Sequence, residues 1–239
     1  MNNKQEILKD LRKQILLLEG FKEPVLTTDT SLGRINEAFP NKVFPFAALH
    51  EFFCFNREEA NSSSAFIAAL LSSHFAKGAT VVWISSTNKV FPPALKWFGI
   101  EPHRVLFLNI KKEKEISWAI NEALTCSSLS AVVGEMPEMS ITASRRFQLA
   151  IEDSGVGCFI LRKNPKNLLT TAVSRWHIQP LPTITEDGLP GLGHPRWQVN
   201  LLKVRNGKTG SWPIEWKNNC FRYPSRLVAI QNTVQKQIG

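Results

Sequence analysis

The chain has 239 residues, 43% of them hydrophobic, and a formal net charge of +9. This length and composition predict one domain with a single large core, and we expect neither a membrane-spanning nor an exported protein, because the sequence has no run of about 18 apolar residues and no signal-peptide pattern. The charge excess lies entirely in residues 141–239, which carry 14 Lys+Arg against 5 Asp+Glu, and it favours a polyanionic or acidic partner.

The N-terminal segment predicts an amphipathic helix over residues 5–18, because its apolar residues recur at helical spacing. A segment rich in proline and in turn-forming residues follows, up to residue 45. We therefore divide the chain into a helix and linker at 1–45, a core at 46–218 and a basic tail at 219–239.

From residue 49 onward, short apolar runs alternate with helical patterns, as in the strand–helix units of a parallel sheet. The predicted strands are 49–53, 80–85, 104–109, 131–134 and 157–161. The predicted helices between them are 58–76, 92–98, 114–124 and 142–153. Thr142 and Ser144 lie where the last helix needs an N-terminal cap, and Gly155 follows its end.

The pattern changes after residue 161. Longer strands are predicted at 172–181, 196–205 and 210–216, separated by turns rich in proline and glycine. The predicted fold class is therefore α/β, with a mostly parallel central sheet, helices on both faces and an antiparallel C-terminal extension. In the tail, a short helical pattern places Leu227, Ile230 and Val234 on one side, near Arg226, and we interpret these four residues as a candidate partner-binding surface.

The first strand-to-helix turn of a parallel α/β sheet is where phosphates usually bind. A working phosphate loop needs glycines and a Lys followed by Ser or Thr. Residues 54–64 contain neither glycine nor lysine, and their two carboxylates would repel a triphosphate. We interpret this region, with the glutamate that ends the fourth strand, as a degenerate nucleotide site made of Asn56, Arg57, Glu58, Glu59, Ser62, Ser63, Ser64 and Glu135.

No other catalytic set is evident, because none of the five histidines lies beside a nucleophile in a recognisable motif. The four cysteines are far apart and form no C-x-x-C pair. We therefore expect no metal, no cofactor and no enzymatic activity, and the cysteines favour a reducing cytoplasm.

The layout resembles the RecA-fold superfamily: LHEFF, a degenerate loop, a helix, GATVVWIS, FPPALKWFGIEPHRVLFL, a long helix and SAVVGE. More narrowly, TASRRFQLAIEDSGVGCFILR, TAVSRWHI and HPRWQVNLLKVRNGKTGSWPIEW resemble the ImuA family of RecA-like accessory proteins. The resemblance covers roughly residues 47–217. In a RecA-like layout, the loop after the fifth strand can grip DNA, so Arg162, Lys163, Lys166 and Arg175 are candidate DNA-binding residues.

The resemblance implies a non-catalytic role in SOS-induced translesion synthesis and mutagenesis. The implied partners are ImuB, which is a Y-family polymerase-like protein, an error-prone replicative polymerase, and further RecA or single-stranded DNA. An alternative function is that of a SulA-type cell-division inhibitor, which binds the division GTPase. A third possible function is weak, residual nucleotide binding.

Overall fold

The computed structural model describes Leu11 and residues 32–74, 79–86, 90–184 and 193–224. Apart from Leu11, the predicted leading helix lies outside the described residues. The four tail residues predicted to bind a partner, Arg226, Leu227, Ile230 and Val234, also lie outside them.

Nine strands and three α-helices make up the regular structure of the described residues. The strands are β1 Leu49–Cys54, β2 Val81–Ser85, β3 Val105–Asn109, β4 Ala131–Glu135, β5 Gly157–Lys163, β6 Ser174–Leu181, β7 Arg196–Val204, β8 Gly210–Lys217 and β9 Cys220–Arg222. The helices are α1 Arg57–His74, α2 Glu113–Thr125 and α3 Ile141–Ser154, with 3₁₀ helices at Gly33–Ala38, Pro92–Phe98 and Pro102–Arg104. The predicted strands agree with β1 to β8 within two residues, whereas β9 was not predicted.

All nine strands form one sheet in the order β3-β2-β4-β5-β1-β6-β7-β8-β9. Strands β1 to β6 pair with one another in parallel, and β7 to β9 continue the sheet in antiparallel pairing from β6. This arrangement confirms the predicted fold class. Parallel strands need crossover connections, which the helices provide, whereas the short turns after β7 and β8 suit antiparallel pairs. Strand β6 is therefore where the sheet changes from one pairing to the other.

The two faces of the sheet carry separate cores. Helix α1 packs on the face that holds the buried aromatic side chains, such as Phe52, Phe66 and Trp176. Helices α2 and α3 pack on the other face with buried Ile120, Phe147 and aliphatic strand residues. In the described part of the chain, no helix is long and apolar enough to cross a membrane.

The start of α3 differs from the sequence prediction. Ser140 caps the helix, because its Oγ accepts a hydrogen bond from the Ala143 N–H at 3.1 Å. Ser144 lies inside the helix, fully buried, and donates to the Ile141 carbonyl. The end of α3 is as predicted: Gly155 has φ +76°, a left-handed conformation that glycine adopts without strain.

Part of the predicted linker packs against the sheet. Leu32, Ile35 and Phe44 are almost fully buried and belong to the core on the α1 face. Tyr223, just beyond β9, donates its hydroxyl to the Leu32 carbonyl and accepts from the Ile35 N–H. Both the described end of the linker and the first residues of the tail segment thus contribute to the core.

A buried hydrogen-bond chain joins β1 to β6 on the α1 face. The Trp176 indole N–H donates to Ser174 Oγ at 2.6 Å, and this hydroxyl lies 2.6 Å from His50 Nδ1. His50 Nε2 donates to the Pro45 carbonyl at 2.9 Å, so Nδ1 is the acceptor of the Ser174 hydroxyl proton. Burial lowers the pKa of His50 to about 3, and the imidazole is therefore neutral at physiological pH.

This neutral histidine predicts a loss of stability in acid. The unfolded chain takes up the His50 proton below about pH 6.5, whereas the folded protein takes it up only near pH 3. The contribution of His50 to the free energy of unfolding should therefore fall by about 1.4 kcal/mol per pH unit between these limits. His74, whose pKa burial lowers to about 4, adds to the slope. Urea unfolding at several pH values measures this slope.

His50→Gln should reduce the acid slope by about one proton. The same substitution at the exposed His103 is the control. An identical slope in wild type and His50→Gln would show that His50 is not the titrating group.

Candidate functional site

The turn from β1 to α1 is closed by its own side chains. Asn56 Oδ1 accepts from the Glu59 N–H at 2.8 Å, and Glu59 Oε2 accepts from the Phe55 N–H at 2.7 Å. This reciprocal pair is a variant of a capping box, and it places a carboxylate at the helix N-terminus, where a phosphate would otherwise bind. His177 Nε2 lies 3.1 Å from the same carboxylate oxygen, without hydrogen-bond geometry.

The other residues of the predicted nucleotide site do not converge on this turn. Arg57 and Glu58 are exposed in the first turn of α1. Ser62 and Ser63 are buried within the helix, and Ser64 donates its hydroxyl back to the Ala60 carbonyl at 2.9 Å. These positions do not present the three serine hydroxyls together to a bound phosphate or its metal ion.

Glu135 lies at the end of β4, where Lys163 Nζ approaches its Oε2 at 3.1 Å. Together with Ser64 the pair borders a mostly apolar pocket of about 230 Å³ between α1 and the Pro92–Phe98 helix. Trp83 also lines this pocket, and its indole N–H is buried without a hydrogen-bond partner among the described residues. Glu135, which the sequence analysis assigned to a degenerate nucleotide site, is thus paired with a lysine of the neighbouring strand β5.

A buried carboxylate on β1 holds two arginines from the adjacent strands. Glu51 Oε1 lies 2.7 Å from Arg162 Nη1 on β5, and Glu51 Oε2 accepts from Arg175 Nε and Nη2 on β6 at 3.0 and 2.9 Å. The side chains of Glu51 and Arg162 are fully buried, and that of Arg175 is 11% exposed. Both guanidinium groups also lie over the Phe53 ring, at 5.5 and 4.7 Å from its centroid.

The same arginines fix the segment between β5 and β6, residues 164–173. Arg162 Nη2 donates to the Asn167 carbonyl at 2.7 Å, and Arg175 Nη2 donates to the Leu168 carbonyl at 2.6 Å. Two basic residues near the end of β7 contact the next carbonyls. Lys203 donates to Thr170 and Arg205 donates to Thr171. Burial, and then the nearby Arg175 charge, lower the pKa of Lys203.

Glu138 holds the start of this segment from the loop after β4. Its carboxylate accepts from the backbone N–H groups of Lys166 and Asn167 at 2.9 and 3.4 Å. The Lys166 N–H is the main reason why the pKa of Glu138 lies below its usual value. Asn167 in turn donates its side-chain amide to the Met139 carbonyl at 3.2 Å. Loops after two neighbouring strands are thus joined to each other.

The four predicted DNA-binding residues differ in their exposure and contacts. Arg162 and Arg175 face inward, and they donate to Glu51 and to backbone carbonyls. Lys163 is paired with Glu135 and its side chain is 34% exposed. Lys166 is the one member of the predicted set that is exposed.

Sequence reasoning missed Glu51, Lys203 and Arg205. A signal for Glu51 existed: a single acidic residue interrupts the apolar strand LHEFFC, and a single arginine interrupts CFILRK. Charged residues inside buried strands are rarely unpaired, so each one suggests the other. Within the described ranges, no three histidine, cysteine or acidic side chains are grouped as a metal site requires.

The chain is similar over most of its length to proteins named ImuA. The ImuA proteins of two strains of Caulobacter vibrioides, NA1000/CB15N and ATCC 19089, are each 30% identical to it over 224 residues, covering 88% of this chain and 92% of the relative. The chain belongs to the ImuA family. No protein-family model matches this ImuA-family chain.

A solved structure of SulA from Pseudomonas aeruginosa also matches the ImuA-family chain. It has 16% sequence identity and a TM-score of 0.41, and it covers 48% of this chain and 96% of SulA.

The buried ion-pair cluster predicts a large effect of a small substitution. Glu51→Gln keeps the shape of the side chain but leaves Arg175 without its anion and Arg162 with the partly exposed Glu138 carboxylate at 3.5 Å. The free energy of unfolding should therefore fall by about 3–5 kcal/mol. Denaturant unfolding followed by circular dichroism measures this loss.

Glu115→Gln is the matched control, because it breaks an exposed ion pair with Lys112 at 2.8 Å and should cost at most about 1 kcal/mol. Similar small losses in both variants would mean that the Glu51 cluster does not stabilise the fold.

Proposed function

We propose that this ImuA-family protein is a non-catalytic accessory protein of damage-induced mutagenesis, which acts in the cytoplasm by binding an ImuB-type, polymerase-like protein during translesion synthesis. The observation that carries the proposal is the similarity to ImuA proteins over 92% of their length. RecA and an error-prone replicative polymerase are further proposed partners.

The geometry of the β1–α1 turn supports the non-catalytic part of the proposal. Glu59 satisfies a backbone N–H with its own carboxylate at the position where a nucleotide phosphate would need that donor. The turn contains no glycine for close backbone approach and no lysine for the terminal phosphates. A nucleotide would therefore have to displace a resident carboxylate and would gain little in return.

This closed turn predicts that the purified protein does not bind magnesium–ATP. Isothermal titration calorimetry should detect no binding at micromolar strength, with or without magnesium. The Glu59→Gln variant removes the charge while keeping a side chain that can accept the Phe55 N–H, and it too should fail to bind, because the glycines and lysine are still missing. Magnesium-dependent micromolar binding by wild type would favour the residual nucleotide binder instead.

The tail remains the sequence's candidate for partner contact. A chain that ends at Pro224 lacks Arg226, Leu227, Ile230 and Val234, and we expect it to lose co-purification with the ImuB-type protein of the same organism. An unchanged melting temperature of the truncated protein is the control for folding.

Full co-purification of the truncated chain would remove the tail from the interface. If the full-length chain does not bind the ImuB-type protein but causes filamentation when overexpressed, the division-inhibitor alternative replaces the proposed function.

Direct DNA contact is a weaker part of the proposal. The positive excess of the C-terminal part favours a polyanion. Of the four residues predicted for phosphate contact, Lys166 is exposed and the others are engaged in ion pairs. If the protein contacts DNA through Lys166 and other surface charges, the binding should be independent of sequence and sensitive to salt.

A further inference from the structure

Two adjacent leucines project from the segment between β5 and β6. Leu168 is 53% exposed and Leu169 is 70% exposed. Neither belongs to the apolar cores on the two faces of the sheet. A single exposed leucine is common on protein surfaces, but two in succession on one loop form an apolar spot that the described residues of this chain do not cover.

The backbone that carries these leucines is held by hydrogen bonds from basic side chains. Four basic side chains donate to four carbonyls within five residues, those of Asn167, Leu168, Thr170 and Thr171. The side-chain oxygen of Asn167 also accepts from the Leu169 N–H at 2.9 Å. A loop that only connected two strands would not need this many charged anchors.

Fixing such a loop has a consequence for binding. Ordering a mobile segment opposes association, and a segment already held in its bound conformation avoids that loss. Hydrophobic side chains presented on rigid backbone are the usual centre of a protein interface. The anchors of residues 167–171 therefore fit a surface that is prepared to dock on another protein.

The charges around the leucines define the partner further. Lys166 is exposed in the same loop, and Arg145 is exposed on α3 next to Ser144, which is hydrogen-bonded to Thr171. The Glu138 carboxylate is engaged by backbone N–H groups of the loop. The rim that a partner would meet is therefore mainly basic, and its complement is acidic.

We propose that Leu168 and Leu169 form a protein-docking knob, which inserts into an apolar pocket bordered by acidic residues on the partner. Glu51, Arg162, Arg175, Lys203 and Arg205 are positioning residues for this knob. The inference rests on the proposed function, since it supplies the contact surface of a protein that acts by binding. DNA, between whose base steps leucines can also insert, is the competing partner.

The double variant Leu168→Ser/Leu169→Ser tests the knob. Both side chains are largely in solvent, so the melting temperature should stay within a few degrees of wild type. The affinity for the purified ImuB-type protein, measured by biolayer interferometry, should fall at least about tenfold. Leu106→Ser is the control, because Leu106 is 54% exposed on the edge strand β3 and its substitution should leave the affinity unchanged.

The outcomes separate the knob from the proposed function. If wild type binds the ImuB-type protein and the double variant binds equally well, the docking knob is wrong and the proposed function stands. If wild type does not bind that protein, the proposed partner is wrong. In that case a photo-cross-linking residue at position 169, introduced in cells with damaged DNA, identifies what contacts the knob.

A protein captured from position 169 supports the knob only if, once purified, it binds wild type at least about tenfold more tightly than the double variant. Cross-links to DNA alone, no protein cross-link, or equal binding of both forms overturns the inference.

Discussion

The ion pairs of the buried Glu51 carboxylate are the interaction on which the arrangement of three adjacent strands and the following segment depends. Glu51 lies on the central strand β1 and pairs with arginines from both neighbouring strands, β5 and β6. Strand β6 is parallel to β1 and antiparallel to β7, so it begins the antiparallel extension. One anion therefore joins three strands up to this point of the sheet, and its two cations extend the connection into the segment that follows β5.

The choice of charges for this role is not explained by stability alone. Moving an acid and two arginines out of water costs several kcal/mol per ion, and apolar residues of similar size often stabilise a core as well or better. Arginine has a property that leucine lacks: after pairing with the carboxylate it still has donors for backbone carbonyls. The cluster can thus hold residues 167 and 168 by their carbonyls, while the side chains of Leu168 and Leu169 remain largely in solvent.

The sequence predicted the elements better than the contacts between them. Apolar runs and helical spacing located β1 to β8 and the helices, because burial of a strand or helix face leaves a periodic local pattern. The strand β9 has three residues and gives too short a pattern. The roles of Arg162 and Arg175 could not be read in the same way, since their partner Glu51 is 111 and 124 residues away and an unpaired arginine has the same local signature as a paired one.

The two predicted sites share one physical feature. In a nucleotide-binding α/β protein, backbone N–H groups at the helix N-terminus and cations near the strand ends remain available for a bound phosphate. Here Glu59 takes up such an N–H group, Glu135 pairs with Lys163, and Glu51 pairs with the two arginines. Each group that could attract a polyanion at these positions has an internal anion instead. A phosphate that approached these positions would therefore have to displace a carboxylate of the chain itself.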